Sequence, residues 1–569
     1  MIMNSDLCKE RILSQEYRDF IITKTRPPYF KNIPPEQLCE QQMDFGYSCA
    51  YLEGLQAEPM TIEKFSYNAI PKCYTLLDME ALNQAGIISV QNYPTLQLMG
   101  EGVIIGFLDT GIDYENSIFR NLDGSTRIAA IWDQTIQTGK VPDGINYGSV
   151  YTEDMINQAL KAETPKAVVP SEDTNGHGTF LASITVGGAN PEEQFLGAAP
   201  ESTIAVVKLK EAKTYLQKFY FIKEGAACYQ ENDIMLGLKF LNQLAGERGM
   251  PLVICIALGS NMGGHDGSLP LPAILSQYAL QGDRGVVVAG GNEANQRHHY
   301  AGKIASNLDE ADVEIRVASG VDGFTAELWT DIPNLFSVTL VSPSGESTTN
   351  IPLRAGSSNV FSFLFEGTNV YMDYRILVER TNSELVFFRF SKPTLGIWKI
   401  IVRAVQVADG AFHVWLPVSE FLSKEIYFLE SNPNETLTNP SNAVAPTTTA
   451  FYDGTVNSIA IQSGRGYTRK GEIKPDFAAP GVNVLGALPG GRFVRRSGSS
   501  IAAGITAGAM ALLMEWIVYQ RGESGIDSVQ LKSLMVLGTE RTPGVTYPNR
   551  EWGYGTLDLY NTFEKGRQF

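Results

Sequence analysis

Histidine, cysteine and basic charge are all in short supply in this 569-residue chain. The six cysteines, Cys8, Cys39, Cys49, Cys73, Cys228 and Cys255, form no C-x-x-C pair, and Cys255 lies inside the apolar run VICIAL. Such sparse, irregular spacing predicts reduced, structural thiols rather than a disulfide framework. Lys plus Arg number 45 against 62 Asp plus Glu, for a net charge of −17. That balance excludes the basic footprint that a nucleic-acid or anionic-membrane partner requires. The N-terminus, MIMNSDLCKERIL, lacks a basic stretch followed by an apolar one, so no Sec signal peptide is expected and the reading is cytoplasmic. Long hydrophobic runs are missing too. The most membrane-like stretch, Ile501–Met514, is shorter than the roughly 20 residues a span needs, and reads as a buried core helix.

What is present is enough apolar sequence to fold: 44% hydrophobic against 19% charged residues. The length suggests two to four domains, or one large domain with insertions. Residues 1 to about 80 carry four of the six cysteines and the strand-like runs Phe20–Thr25 and Cys49–Glu53. A different texture comes next. Val103–Leu108, Ile204–Lys208, Leu252–Leu258 and Val286–Ala289 are continuous apolar runs, with helical patterns such as Asp233–Ala245 between them. Buried parallel strands alternating with helices predict a doubly wound, mainly parallel α/β sheet. From about 310 to 425 the helical pattern disappears. Six β-rich runs recur there, at 313–317, 337–341, 360–365, 385–390, 397–402 and 412–416, with turns between them. They predict an inserted antiparallel β-sandwich or jelly roll, with Trp398 and Trp415 in its core. Ser431–Thr449, rich in Asn, Pro, Ser and Thr, reads as an exposed connection, and the α/β texture resumes at Asn457–Ile461.

Three motifs carry chemistry. Asp109-Thr110-Gly111 ends an apolar run, where open α/β sheets place functional groups. Aspartic proteases need two such loops, and the chain has one. Asn175-Gly176-His177-Gly178-Thr179 opens a small-residue helix, and its two glycines leave the His177 ring free to approach another side chain. The remaining histidines, His265, His298, His299 and His413, read as loop or surface residues. Gly498-Ser499-Ser500-Ile501-Ala502-Ala503-Gly504 opens a second small-residue helix, where a serine hydroxyl and backbone N–H groups sit together. An α/β-hydrolase elbow is excluded because Ala502 stands where that motif needs Gly.

In the order Asp…His…Ser these motifs resemble the subtilase (subtilisin-like serine protease) family over about 95–300 and 450–560. Gly291-Asn292 resembles the family's oxyanion-hole segment. Leu258-Gly259-Ser260 is similar to its substrate-pairing strand. Lys474–Gly481 and Trp552–Leu559 match two further segments. The sequence departs from the family at Ser499, where Thr is usual, and at Gly504, where Pro is usual. The resemblance implies a triad of Asp109, His177 and Ser500, an oxyanion hole of Asn292 and the Ser500 N–H, and polypeptide substrates. No cofactor is implied, and calcium, which subtilases often bind, has no assignable site.

Within the family the chain resembles the Csp germination proteases of clostridial spores. The features are residues 70–91, the absent signal peptide and the β insertion. That likeness implies an N-terminal prodomain over 1–80, retained as a partner after a self-cut near 74–85, with Tyr74–Leu82 the expected place. It also implies a catalytic part at 81–305 and 446–569 around an insert at 306–445, a cytoplasmic or spore-associated location, and activation of another protein by limited proteolysis. Two rival readings exist: a catalytically silent binding or signalling relative, and a surface- or carbohydrate-binding protein in which the sandwich is the working part.

Overall fold

The computed structural model describes residues 5–23, 28–31, 33, 39–76, 85–93, 96–349 and 358–567. The N-terminal segment folds as helix α1 (Ser5–Leu13) and strands β1 (Tyr17–Thr23), β2 (Cys39–Gln42) and β3 (Tyr47–Glu53), an antiparallel sheet in the order β1-β3-β2. The expectation that all cysteines are reduced fails at one pair. Cys8 and Cys39 are disulfide-bonded, with Cα atoms 5.5 Å apart, because α1 packs on β2 within bridging distance. The other four cysteines are free and buried.

Charge anchors this segment to the rest of the chain. Asp19 is fully buried against the ammonium of Lys213 at 2.5 Å and also accepts from the Gln230 amide at 2.7 Å. A buried carboxylate is tolerable only with such partners. Tyr67 donates to Glu327 at 2.6 Å, and the Lys72 N–H donates to Glu231 at 3.1 Å. Strand β4 (Cys73–Leu76) then leaves the segment.

The apolar runs become strands of a nine-stranded sheet. In chain order its first strands are β5 (Ile104–Asp109), β6 (Ile128–Asp133), β7 (Ser149–Thr152), β8 (Thr203–Lys208), β10 (Leu252–Ile256) and β12 (Arg284–Ala289), while the two-residue strands β9 (Tyr229–Gln230) and β11 (Leu258–Gly259) lie outside it, in a small sheet with β4. β5 lies parallel to β8 and β10, and β10 lies parallel to β12. β7 runs antiparallel to β6, so the sheet is mixed rather than wholly parallel. Both faces are covered. Along β5, Ile105 and Phe107 join one apolar cluster and Ile104 and Leu108 the other, as the two-residue period of a strand requires.

The insertion contains all six of the β-rich runs as strands. They are joined by four strands whose alternation the sequence hid. In chain order these ten are β13 (His299–Lys303), β14 (Glu310–Val317), β15 (Gly323–Asp331), β16 (Leu335–Val341), β17 (Ser358–Phe363), β18 (Thr368–Arg375), β19 (Ser383–Ser391), β20 (Gly396–Gln406), β21 (Ala411–Trp415) and β22 (Ile426–Phe428). One sheet runs β13-β21-β15-β19-β18-β17 and the other β16-β20-β14-β22, with every pair antiparallel. Side chains of both sheets share one apolar core that includes Trp398. Trp415 is also buried, but in a different apolar cluster, which includes Trp329, Phe387 and residues of the N-terminal segment.

Glu384 on β19 is buried, and among the described residues no cation lies against it. The Tyr374 hydroxyl donates to its Oε1 at 2.7 Å, and Oε2 has no partner. Burial raises its carboxyl to about 8. The unfolded chain releases this proton near pH 4.5, so between there and pH 8 the folded state binds more protons. Stability therefore falls as pH rises through that window, by about 1.4 kcal/mol per unit for this group. Glu384→Gln should flatten the decline and melt above wild type at pH 8. Parallel melting curves for the two proteins from pH 5 to 8 would contradict this.

The polar stretch read as an exposed connection is mostly buried, and it contributes a strand. β23 (Thr447–Asp453) pairs in parallel with β12, so the main sheet resumes ten residues before Asn457. Its polar side chains find partners inside. Asn439 donates to the Met262 carbonyl at 2.7 Å, Asn442 to the Leu437 carbonyl at 3.0 Å, and the Thr448 hydroxyl to the Ser441 carbonyl at 2.7 Å. β24 (Ser458–Ile459) and β25 (Phe477–Pro480) complete the edge.

Helices α2 (His177–Val186) and α5 (Ser499–Glu515) pack on one face of the sheet, and α3 (Glu231–Arg248) and α4 (Pro270–Ala279) on the other. The apolar helix continuing to Gln520 is long enough to cross a membrane, but 89% of its apolar window is buried inside the fold. It is a core helix. A Cβ on Gly504 would stand 2.7 Å from the Thr185 hydroxyl and 2.9 Å from Leu181, and one on Gly508 would stand 2.3 Å from Ala198. The two glycines let α5 approach α2 closely. A side chain at 504, proline included, would require the Thr185 and Leu181 side chains to shift.

Candidate active site

Three elements converge at the carboxyl ends of the central strands. Asp109 is the last residue of β5, His177 the first of α2, and Ser500 the second of α5. His177 Nδ1 lies 2.8 and 2.9 Å from the two Asp109 carboxylate oxygens. Its Nε2 lies 3.2 Å from Ser500 Oγ. All three side chains are buried. The glycines around His177 have a backbone reason. Gly176 has φ 87°, and a Cβ on Gly178 would stand 2.2 Å from the Gly111 carbonyl oxygen.

A fourth residue, passed over in the sequence, holds the Asp and His loops together. Asp173 accepts from the Thr110 hydroxyl at 2.7 Å and from the Gly176 N–H at 2.8 Å. It also accepts from the Thr179 N–H at 2.8 Å and hydroxyl at 2.7 Å. The available signal was a short acidic residue just ahead of a helix start. Beneath the site, burial pushes the Cys255 thiol up, with the Asp109 charge adding to it, so no competing thiolate forms there.

Asn292 lies beside the serine helix and its Oδ1 accepts from the Ser499 N–H at 3.1 Å. Leu258 and Gly259 form β11, which pairs antiparallel with β4, placing Leu258 opposite Leu76 and Gly259 opposite Thr75. On its other side β4 pairs with β9, with Tyr74 opposite Tyr229. Ser260 does not share this pairing. Its N–H and carbonyl are both taken by the Asn439 backbone, at 3.0 and 2.8 Å. β9 escaped the sequence reading because two residues carry no period. A cleft of about 500 Å³ adjoins the histidine loop, lined by Thr110, Asn175, Lys208, Glu211 and Tyr229 among others.

The remaining histidines are not the loop or surface residues expected. His265 and His298 are buried, with His265 between the carbonyls of Asn261 and Leu437 and His298 Nδ1 2.7 Å from Glu293. His299 is buried and His413 partly so, and they contact each other. The strands of the insert fold back over them.

The Subtilase family model matches residues 100–555. The solved structure of the Clostridium perfringens CspB protease superposes with a TM-score of 0.75 at 32% identity, covering 85% of this chain and 98% of that one. The C5a peptidase of Streptococcus pyogenes is 22% identical over 449 residues, covering 73% of this chain and 35% of its own length. The subtilisin-like protease SBT3.6 of Arabidopsis thaliana is 24% identical over 485 residues, covering 79% of this chain and 60% of its own. The chain thus spans about a third of the C5a peptidase. With a family match over most of its length and a neighbour of this likeness, the chain belongs to the subtilase family and has the subtilisin-like fold.

Proposed function

We propose that the protein is a serine endopeptidase whose first substrate is itself. The observation that carries this is β4. A segment preceding the sheet lies as the middle strand between β9 and β11, where an extended peptide would add a strand beside the serine. The register also gives a direction. Leu76 pairs with Leu258, so β4 points past Leu76 toward Ala257. Cys255 on β10 is level with Phe107, and counting on brings Ala257 level with Asp109. The strand therefore heads into the triad, and the cut falls shortly after Leu76, in Leu77-Asp78-Met79. Those residues lie within the expected 74–85, and positions 77–84 are outside the described residues.

In this reading Ser500 Oγ attacks the carbonyl carbon, His177 takes its proton and passes it to the leaving amine, and Asp109 holds the Nδ1–H and stabilises the imidazolium. With Oδ1 of Asn292 engaged by Ser499, its NH₂ serves the oxyanion together with the Ser500 N–H. After the cut, the buried Asp19–Lys213 and Tyr67–Glu327 contacts keep the N-terminal piece bound. Its tail competes for the groove at an effective concentration on the order of millimolar. The likeness to the Csp proteases extends the proposal to limited proteolysis of one partner protein in the cytoplasm or the spore.

Intact mass and N-terminal sequencing test the self-cut. Wild type should give pieces of about 9 and about 53 kDa by residue proportion, and Ser500→Ala a single chain of 62.3 kDa. A fluorophosphonate should label wild type only. An uncut wild type that still hydrolyses peptides would remove the self-processing claim, and an unlabelled, inactive wild type the peptidase claim.

A further inference from the structure

One buried seam of the insert carries side chains that the peptidase reading leaves unused, and they have the donors of a metal site. His299 opens β13 and His413 lies on β21, its pairing partner. Trp415 is opposite His299 and Ala301 opposite His413, so the two imidazoles are diagonal neighbours on one face. His299 Nε2 and His413 Nδ1 are 3.0 Å apart. Glu435, on the segment returning to the main sheet, brings a carboxylate oxygen to the same place. The three ligand atoms all lie within 4.8 Å of one another.

We propose that His299 Nε2, His413 Nδ1 and the Glu435 carboxylate bind one zinc ion, with water as the fourth ligand. Two imidazoles and a carboxylate are donors that zinc prefers. Tetrahedral zinc with bonds of 2.0–2.1 Å sets neighbouring ligand atoms about 3.3 Å apart, close to the spacing of the two nitrogens. The surroundings orient the first ligand. The Asn432 carbonyl lies 3.2 Å from His299 Nδ1. A carbonyl only accepts, so Nδ1 carries the proton and Nε2 presents its lone pair, the arrangement of a metal-bound histidine with its outer partner. Without metal, His413 donates its Nδ1 proton to that lone pair. With zinc, the proton resides on His413 Nε2 instead and the ring stays neutral. The Trp415 indole, stacked 4.7 Å from His299 and 5.2 Å from His413, fixes both ring planes.

One cation competes. Arg550 pairs with Glu435 Oε1 and donates to the Gly466 carbonyl. Its side chain is 40% exposed and lies over the Tyr467 ring, and its ion pair occupies one of the two carboxylate oxygens. Arg469 is already matched by Asp266 and Asp331. The ion would clip the sheet edge of the insert to the segment that re-enters the main sheet, a structural role independent of the peptidase reading.

The test uses the full chain, stripped with a chelator and titrated with zinc against a chromophoric competitor. Wild type should take up one zinc per chain and melt at a higher temperature with it. His413→Ala, at a partly exposed position, should weaken uptake at least about 100-fold and lose the thermal shift while keeping the wild-type circular dichroism. Glu435→Gln should weaken it as well. His299 is almost wholly buried, so His413 and Glu435 carry the test. Wild type that takes up no zinc would overturn the proposal, leaving a hydrogen-bonded histidine pair. Uptake unchanged in both variants would overturn it too, by placing the ion elsewhere.

Discussion

Ser500→Ala and His177→Ala are each expected to lower kcat/KM on a peptide substrate by about 10⁶-fold, and the double variant no further. The geometry requires this non-additivity. Ser500 Oγ is 3.2 Å from His177 Nε2 and, among the described residues, meets no other base, so removing either partner removes the same proton transfer. What remains after either change, about 10³–10⁴ over water, comes from the oxyanion donors and substrate positioning, which both variants keep. Asp109→Asn should cost about 10⁴-fold, because an amide presents an N–H where His177 Nδ1 needs an acceptor. None of this should unfold the protein. Ser500→Ala deletes one oxygen whose partner is the histidine, and a fall in stability beyond about 1 kcal/mol is not expected. The measurement is a kinetic assay of each of the four variants beside wild type, alongside melting curves. A double variant slowed by the product of the two single effects would show that the residues act separately. A Ser500→Ala protein with wild-type activity would show that the serine is not the nucleophile. A wild-type protein with no peptidase activity and no fluorophosphonate label would instead return the chain to the silent-relative reading.

The same geometry shows why the site was legible in the sequence and much around it was not. Asp109, His177 and Ser500 stand at the end of a strand or the start of a helix, where the backbone demands short, recognisable motifs. Gly176 and Gly178 are fixed by a positive φ and a 2.2 Å approach, so the histidine motif is written in residue types. The strands β5, β8, β10 and β12 were legible because burial on both faces makes them continuous apolar runs. Three things escaped for distinct physical reasons. Ser431–Thr449 has a loop's composition but its amides and hydroxyls are satisfied internally, so composition misjudged its burial. His265, His298 and His299 are buried by strands distant in sequence, and no local pattern reports that. The seat of β4 between β9 and β11 depends on pairing across more than 150 residues, with strands two to four residues long. Periodicity has nothing to measure at that length.

Asp173→Ala is expected to lower kcat by about 10²-fold with little change in KM, and to cost about 2–6 kcal/mol in stability. Asp173 touches no reacting atom. Its Oδ1 joins the Thr110 hydroxyl to the Gly176 N–H, and its Oδ2 takes the N–H and the hydroxyl of Thr179. The Thr110 hydroxyl in turn accepts from the Gly178 N–H at 2.9 Å. One carboxylate thus spans the loop after Asp109 and the first turn of the helix that begins at His177. Removing it leaves at least two buried N–H groups without acceptors, at about 1–3 kcal/mol each. The loops then lose their brace, and a shift of about 1 Å between aspartate and histidine is worth about two orders of magnitude in rate. The groove formed by β9 and β11 is built on other strands, so substrate binding should be nearly untouched and the loss should fall on kcat. Asp173→Asn separates positioning from bulk. It keeps Oδ1-type acceptance but turns NH₂ toward one pair of donors, so it should fall between wild type and Asp173→Ala in both rate and melting temperature. The fluorophosphonate labelling rate of Ser500 should drop in step with kcat at temperatures well below the melting transition. If Asp173→Ala keeps more than a third of wild-type kcat while its melting temperature falls, the carboxylate is a stabilising contact alone. If KM rises and kcat holds, the brace acts on the substrate groove rather than on the triad.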